Sequence, residues 1–199
     1  QGMQMEIRLM FKVFQKFIDL PLLVLAPLAA GSILWFQWTK GKLDASYAAS
    51  GHPVDYMTGQ TSFSGETIKG YYAAMIESGT LDVYVQTQLI DFAFILGFIA
   101  IGLCVCTLIA RLSRADSFGR RIGIWAGLAF VLGGASDMIE NGWSFIMLAN
   151  PSDFADWLAI PYSSFAVLKF ALITFGLALA FVSILSGILG RVLQKPKLG

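Results

Sequence analysis

Leu89–Ile109 reads LIDFAFILGFIAIGLCVCTLI, 21 residues carrying a single charge, Asp91, near the start. A helix rises about 1.5 Å per residue and a bilayer's hydrocarbon core is about 30 Å thick, so a run of this length and apolarity is a membrane span. Three further runs of the same kind occur at 20–38, 122–148 and 161–189. The composition agrees: 56% of residues are hydrophobic and 14% are charged, with mean hydropathy +0.68, whereas a soluble domain carries about 25% charged residues. The expected fold is all-α, a four-transmembrane-helix bundle forming one domain. It is expected to carry an N-terminal interfacial amphipathic helix and a short helical outer lid.

Upstream of the first span, residues 3–19 place Ile7, Met10, Phe11, Phe14, Phe17 and Ile18 at helical spacing, with Arg8, Lys12, Gln15 and Lys16 on the other face. That pattern suits a helix lying in the membrane surface. Gln1-Gly2 ahead of Met3 reads as the scar of a tag-cleaving protease, and no cleavable signal peptide is expected. In the first span Pro21 suits a helix start, Pro27 is expected to kink the helix, and Trp35 and Trp38 fall where the aromatic belt belongs.

Residues 39–80 form the one sizeable loop. Its first part, through Phe63, is rich in Gly, Ser, Thr and Tyr and is expected to be irregular. A lid helix is expected over 64–78, with Ser64 as N-cap, Gly79 just past its end and an apolar face of Ile68, Tyr71, Tyr72, Met75 and Ile76. Thr80 is placed to cap the second span, 81–110. A basic loop, 111–121, leads to the third span. A short loop, 149–160, with one helical turn near Asp153–Leu158, leads to the fourth. The tail is 190–199.

Basic residues gather in the N-terminal segment, in the 111–121 loop (Arg111, Arg114, Arg120, Arg121) and in the tail (Arg191, Lys195, Lys197). The positive-inside rule therefore puts both termini in the cytoplasm and the 39–80 loop outside. Gly123 and Gly127 on span three, and Gly176, Ala180, Ser183 and Gly187 on span four, are small-residue stripes that let helix backbones approach closely in lipid. Cys104 and Cys106 are two apart, do not share a helix face, and read as small packing residues. A net charge of +1 gives no field that would attract nucleic acid.

Function hangs on Gly133–Trp143, GGASDMIENGW. Asp137 and Glu140 are i, i+3, Asn141 is i+4 from Asp137, and all three share one face. Counting from the basic ends at 1.5 Å per residue puts Asp137 at about 22 Å, Glu140 at about 27 Å, Asp91 at about 30 Å and Lys169 at about 31 Å. These four groups thus lie at comparable heights on three helices. A charge in mid-bilayer costs about 2.5–3.5 kcal/mol, so they are expected to face inward and to meet. Lys169 is expected to pair with Asp137 or Glu140. A carboxylate left over would hold a proton, a cation or a basic ligand group.

Three functions fit such a cluster. The first is a non-catalytic structural or partner-binding subunit, with the network setting helix register. The second is an outward-facing polar pocket that binds or modifies a lipid-like or small hydrophobic ligand. There Asp137 and Glu140 would be the acid/base (catalytic) groups, and Asn141, Lys169, Asp91, Tyr71, Tyr72, Trp143 and Tyr162 the ligand-binding ones, with Trp157 as a further aromatic wall. The third is proton- or ion-coupled transport by a homo-oligomer. The acidic groups and Asn141 would suit only a hard cation, and Lys169 already supplies positive charge, so no metal and no cofactor is expected. No GxSxG, HExxH, P-loop or CxxC pattern occurs. His52, the one histidine, is expected at the outer surface or over the pocket.

Tyr84 and Asp91 entering span two after a Tyr-containing outer helix, Asp137-x-x-Glu140-Asn141 in span three and Lys169 in span four resemble a group of uncharacterised bacterial four-helix integral membrane proteins. The resemblance covers most of the chain. It implies that Asp137, Glu140, Asn141 and Lys169 belong to one site in a bacterial inner-membrane protein, and it implies no substrate. A large first outer loop and a small second one are also the claudin arrangement, but the paired cysteines and Trp motif expected in that loop are missing.

Overall fold

A computed structural model describes residues 12–192. The expected tag scar, residues 3–11 of the surface helix, and Lys195 and Lys197 lie outside the described residues. Within them the chain is helical, without strands: α1 (12–19), α2 (Leu22–Ser50), α3 (Tyr56–Gln60), α4 (Gly65–Glu77), α5 (Leu81–Arg111), α6 (Phe118–Leu148) and α7 (Ala159–Val192), the last preceded by a 3-10 turn, Asp156–Leu158. α2, α5, α6 and the run from Asp156 to Val192 are long and apolar enough to cross a membrane. Leu23, Leu34, Phe175 and Phe181 stand well exposed on them. Such side chains would be a liability in water and are the natural outer surface in lipid.

The described residues divide into two compact units, 12–34 with 98–131 and 172–192, and 35–97 with 132–171. Each long helix gives one segment to each unit, because helices of about 30 residues bring together only groups at similar positions along their length.

The first unit is knit by small residues. A Cβ on Gly123 would stand 2.8 Å from the Ala110 Cα and from Ser183 Oγ, and one on Gly127 would stand 2.6 Å from the Gly102 carbonyl oxygen. Ser183 Oγ donates to the Gly119 carbonyl at 2.7 Å. Gly176, Ala180, Ser183 and Gly187 are all buried, as the α7 stripe requires. Cys104 and Cys106 are buried free thiols. In α1, Phe14 and Ile18 are buried while Lys12, Gln15 and Lys16 are exposed, so the described part of this helix is amphipathic.

The second unit holds the lid. Ser64 accepts from the Thr67 amide, and Gly79 takes φ 68° just past the end of α4. The Gly79 and Thr80 amides close the helix onto the Ile76 and Met75 carbonyls, the Schellman pattern. Ile68, Tyr72 and Met75 bury their side chains with Tyr84, Met147, Phe154 and Tyr162. Ile76, expected on that face, is 45% exposed, because it falls at the edge of the 68/72/75 stripe. Gly65 sits so close to Asp156 that any Cβ would be 2.6 Å from its Cα. Lys69 pairs with the Asp156 carboxylate at 2.9 Å, and the Phe63 amide donates to Ser163 Oγ at 3.1 Å.

Two sequence expectations need correcting. Residues 39–50 are not irregular: α2 runs on to Ser50, and α3 covers Tyr56–Gln60. Thr39 Oγ1 bonds back to the Trp35 carbonyl, Lys40 pairs with Asp44 one turn on, and Ser46 bonds Thr87 on α5. The polar residues therefore extend the helix rather than end it. Thr80 does not cap α5 with its hydroxyl, which instead donates to the Ser50 carbonyl at 2.6 Å and ties the lid's end to the end of α2. Pro27 lies within α2, and the helix continues through it.

Candidate functional site

α6 carries the site. Asp137, Glu140, Asn141 and Ser144 follow the i, i+3, i+4, i+7 pattern that puts four side chains on one helix face. All four are buried, Glu140, Asn141 and Ser144 completely. Lys169 of α7 reaches them from one side: its Nζ donates to Asp137 Oδ1 at 2.7 Å and stands 2.5 Å from Glu140 Oε2. The second approach is an ion pair too poorly aligned to count as a hydrogen bond, and neither oxygen of Glu140 has a hydrogen-bonding partner. From α5, Asp91 Oδ2 accepts from the Asn141 amide at 2.7 Å, and Asp91 lies near enough to Asp137 and Lys169 to interact with both charges. Three carboxylates therefore share one ammonium inside a membrane-length bundle.

The lid and its neighbours close the group over. Tyr72 of α4, with its ring buried, faces Ser144 just outside hydrogen-bond geometry. Burial pushes the Tyr72 phenol above its usual range, so its hydroxyl stays protonated and able to donate. Tyr84 and Tyr162 are buried, pair their hydroxyls, and feel the Glu140 charge. Four buried polar side chains here, Tyr72, Glu140, Asn141 (through Oδ1) and Ser144, each keep an oxygen without a protein partner. Buried polar groups are normally satisfied, and a partly satisfied network is less stable than an apolar core.

The expected residues Asp91, Asp137, Glu140, Asn141, Lys169, Tyr72 and Tyr162 thus come together. Tyr71 and Trp143 do not join them. Tyr71 is half-buried and its ring lies 5.0 Å from the imidazole of His52. Trp143 packs beside the lid's apolar cluster and meets Trp157 edge-on at 6.4 Å. Trp157 itself is 60% exposed. Sequence reasoning missed Ser144, although its i+4 spacing from Glu140 marked it. It also missed the setting of His52, which local sequence does not signal. The imidazole is half-buried among the rings of Tyr47, Tyr71 and Tyr84, with Nδ1 3.0 Å from the Val54 carbonyl. Burial pushes its pKa below the usual value, against the opposing pull of the Val54 carbonyl and the Asp55 charge.

Among the described residues, no group of three His, Cys, Asp or Glu side chains is arranged to hold a metal ion; Lys169 occupies the centre that a cation would take. Comparisons with family models, with curated proteins and with solved structures found no match for this chain.

Proposed function

We propose that the protein binds or modifies a lipid-like or small hydrophobic ligand in a polar pocket centred on Glu140, within a bacterial inner membrane, with both termini cytoplasmic and the lid outside. The observation that carries this reading is Glu140 itself: wholly buried, with Oε2 ion-paired to Lys169 and Oε1 without a partner. A network that served only helix register would be closed, with each acceptor matched. Here the acceptors left over are Glu140 and Asn141 Oδ1, flanked by the hydroxyls of Tyr72 and Ser144. They match a ligand head that brings donors, an amine or a polyol, on an apolar body. Lys169 holds Asp137 by a hydrogen bond and Glu140 Oε2 by an ion pair. Glu140 is the group free to take or give a proton, should the ligand be transformed. Tyr72 makes the lid helix part of the pocket wall, so entry requires α4 to lift.

Native mass spectrometry of the protein in mild detergent tests this. A bound amphiphile with amine or hydroxyl donors is expected in wild type and should be lost in Glu140→Gln with the fold retained. An empty wild-type spectrum, with Glu140→Gln lowering the melting temperature sharply, would sink the pocket and leave the structural-subunit reading.

The excess of carboxylates over ammonium carries a second reading, proton or ion coupling by a dimer. For that, pH-driven flux in liposomes should appear and vanish in Glu140→Gln.

A further inference from the structure

A polar concavity lies in the first unit, on residues that take no part in the acid cluster. α5 ends at Arg111, α6 begins at Phe118 and α7 ends at Val192. Where these termini meet there is a cavity of about 520 Å³, within the roughly 300–1,000 Å³ of small-molecule sites. Arg111, Arg114 and Arg191 line it together with Ser113, Ser117 and Ser186, and among the described residues no acidic side chain does. Arg111 is anchored, its Nη1 donating to the Leu20 carbonyl at 2.7 Å. Ser117 Oγ accepts from the Arg120 amide and so starts α6, whose N-terminus carries partial positive charge toward the same space. Ser113 Oγ is buried and lacks a partner.

Positive charge gathered by three guanidinium groups, hydroxyl donors and a helix N-terminus match a phosphate. The volume leaves room for an organic head group beside it. The place matches as well. Helices long and apolar enough to cross a membrane end here, and basic residues at such ends suit phospholipid phosphates.

We propose that this cavity is a binding site for a phosphate-bearing ligand, the head group of an anionic phospholipid or a soluble phosphate compound. The site differs from a diffuse basic surface because its charges converge on one concavity. Arg121, in the first turn of α6 and exposed, is not among its lining residues. Gly190 does line it, and a Cβ there would meet nothing within 4 Å, so a larger side chain can fill the cavity without disturbing the helices.

Full-length protein in mild detergent is titrated with dioctanoyl phosphatidic acid, with dioctanoylglycerol as its phosphate-free twin, and with inorganic phosphate. Bound species are counted by native mass spectrometry. The phosphatidic acid is expected to bind and the diacylglycerol not. Arg114→Gln with Arg191→Gln should weaken binding on the order of tenfold, Gly190→Leu similarly, and Arg121→Gln by less than about twofold, as for a screened surface charge. If inorganic phosphate displaces the lipid, the site takes soluble phosphates; if it does not, it is a lipid head-group site. Either result upholds phosphate recognition. Equal losses in Arg121→Gln and in the cavity variants, diacylglycerol binding as tightly as phosphatidic acid, or no binding at all would overturn the proposal.

Discussion

Gly123 of α6 lies against the backbone of Ala110, close enough that a methyl group would collide. Further along the same helix, Asp137 and Glu140 converge on one lysine. The first unit of the chain associates through backbone proximity, the second through charge and aromatic packing. In lipid there is little hydrophobic drive between helices, so both devices substitute for it: close van der Waals contact between small residues, or polar groups that have no better partner than each other. They differ in what they permit. A glycine contact is complete in itself. The acid cluster leaves acceptors such as Glu140 Oε1 and Asn141 Oδ1 unmatched, and groups of that kind can take up a ligand.

The largest effect that would test this contrast is Lys169→Met. It removes the ammonium and leaves Asp137 and Glu140 buried without compensation, so stability should fall by about 3–5 kcal/mol, read as a lower melting temperature in detergent or as lost expression. An unchanged melting temperature would mean that the cluster does not hold the second unit. Next comes Gly123→Ala, which forces α6 away from the Ala110 backbone and should cost about 1–3 kcal/mol. Its control is Gly142→Ala, where a Cβ meets nothing within 4 Å and the better helix former should be neutral or stabilising by up to about 1 kcal/mol. If both glycine variants behave alike, close approach is not what joins the first unit.

Glu140→Gln is expected to change stability by less than about 1 kcal/mol. Gln keeps an oxygen for the Lys169 ammonium, and Asp137 keeps that charge compensated. That small loss, set beside the large one for Lys169→Met, is the signature of a binding group rather than a structural one.

The smallest effect concerns the lid. The folded state lowers the pKa of His52 through burial, so the unfolded chain takes up a proton first as pH drops. The stability this imidazole contributes is complete above the unfolded value of about 6.5 and is lost progressively as pH falls through the lower folded value. Protection factors of the α4 amides, which divide out the intrinsic pH dependence of exchange, should therefore fall between pH 7.5 and 5.5 in wild type, and His52→Phe should remove that fall. Asp55 acts in a different window. Its carboxylate accepts from the Thr58 amide and hydroxyl, which lowers its pKa, so its contribution is lost only as pH falls below the ordinary carboxylate value of 3.8.

Much of this was legible in the chain. Apolar runs of bilayer length specify spans because an unsatisfied backbone cannot enter hydrocarbon, and that constraint acts locally. Ser64 and Gly79 marked the lid for the same reason: caps and left-handed turns are settled by a few adjacent residues. The shared face of Asp137, Glu140 and Asn141 follows from the helical period alone, and the cost of a charge in lipid directs it inward. Residues 39–50 misled because Gly, Ser and Thr were averaged with the true turn at 51–55, while helix-stabilising partners such as Thr87 lie on another element.

The sequence by itself determined four membrane-length helices, the lid and the group of polar residues at one level of three of them, because period, length and polarity act along the chain. Only the tertiary structure decided which oxygen meets which nitrogen. Lys169 meets both Asp137 and Glu140 while Glu140 Oε1 stays without a partner, Tyr72 rather than Tyr71 covers the cluster, and His52 is half-enclosed by tyrosines. Three arginines, from the ends of α5 and α7 and from the loop after α5, line one cavity. Those choices depend on the rotation and approach of helices about one another, which side-chain packing sets and no local pattern encodes.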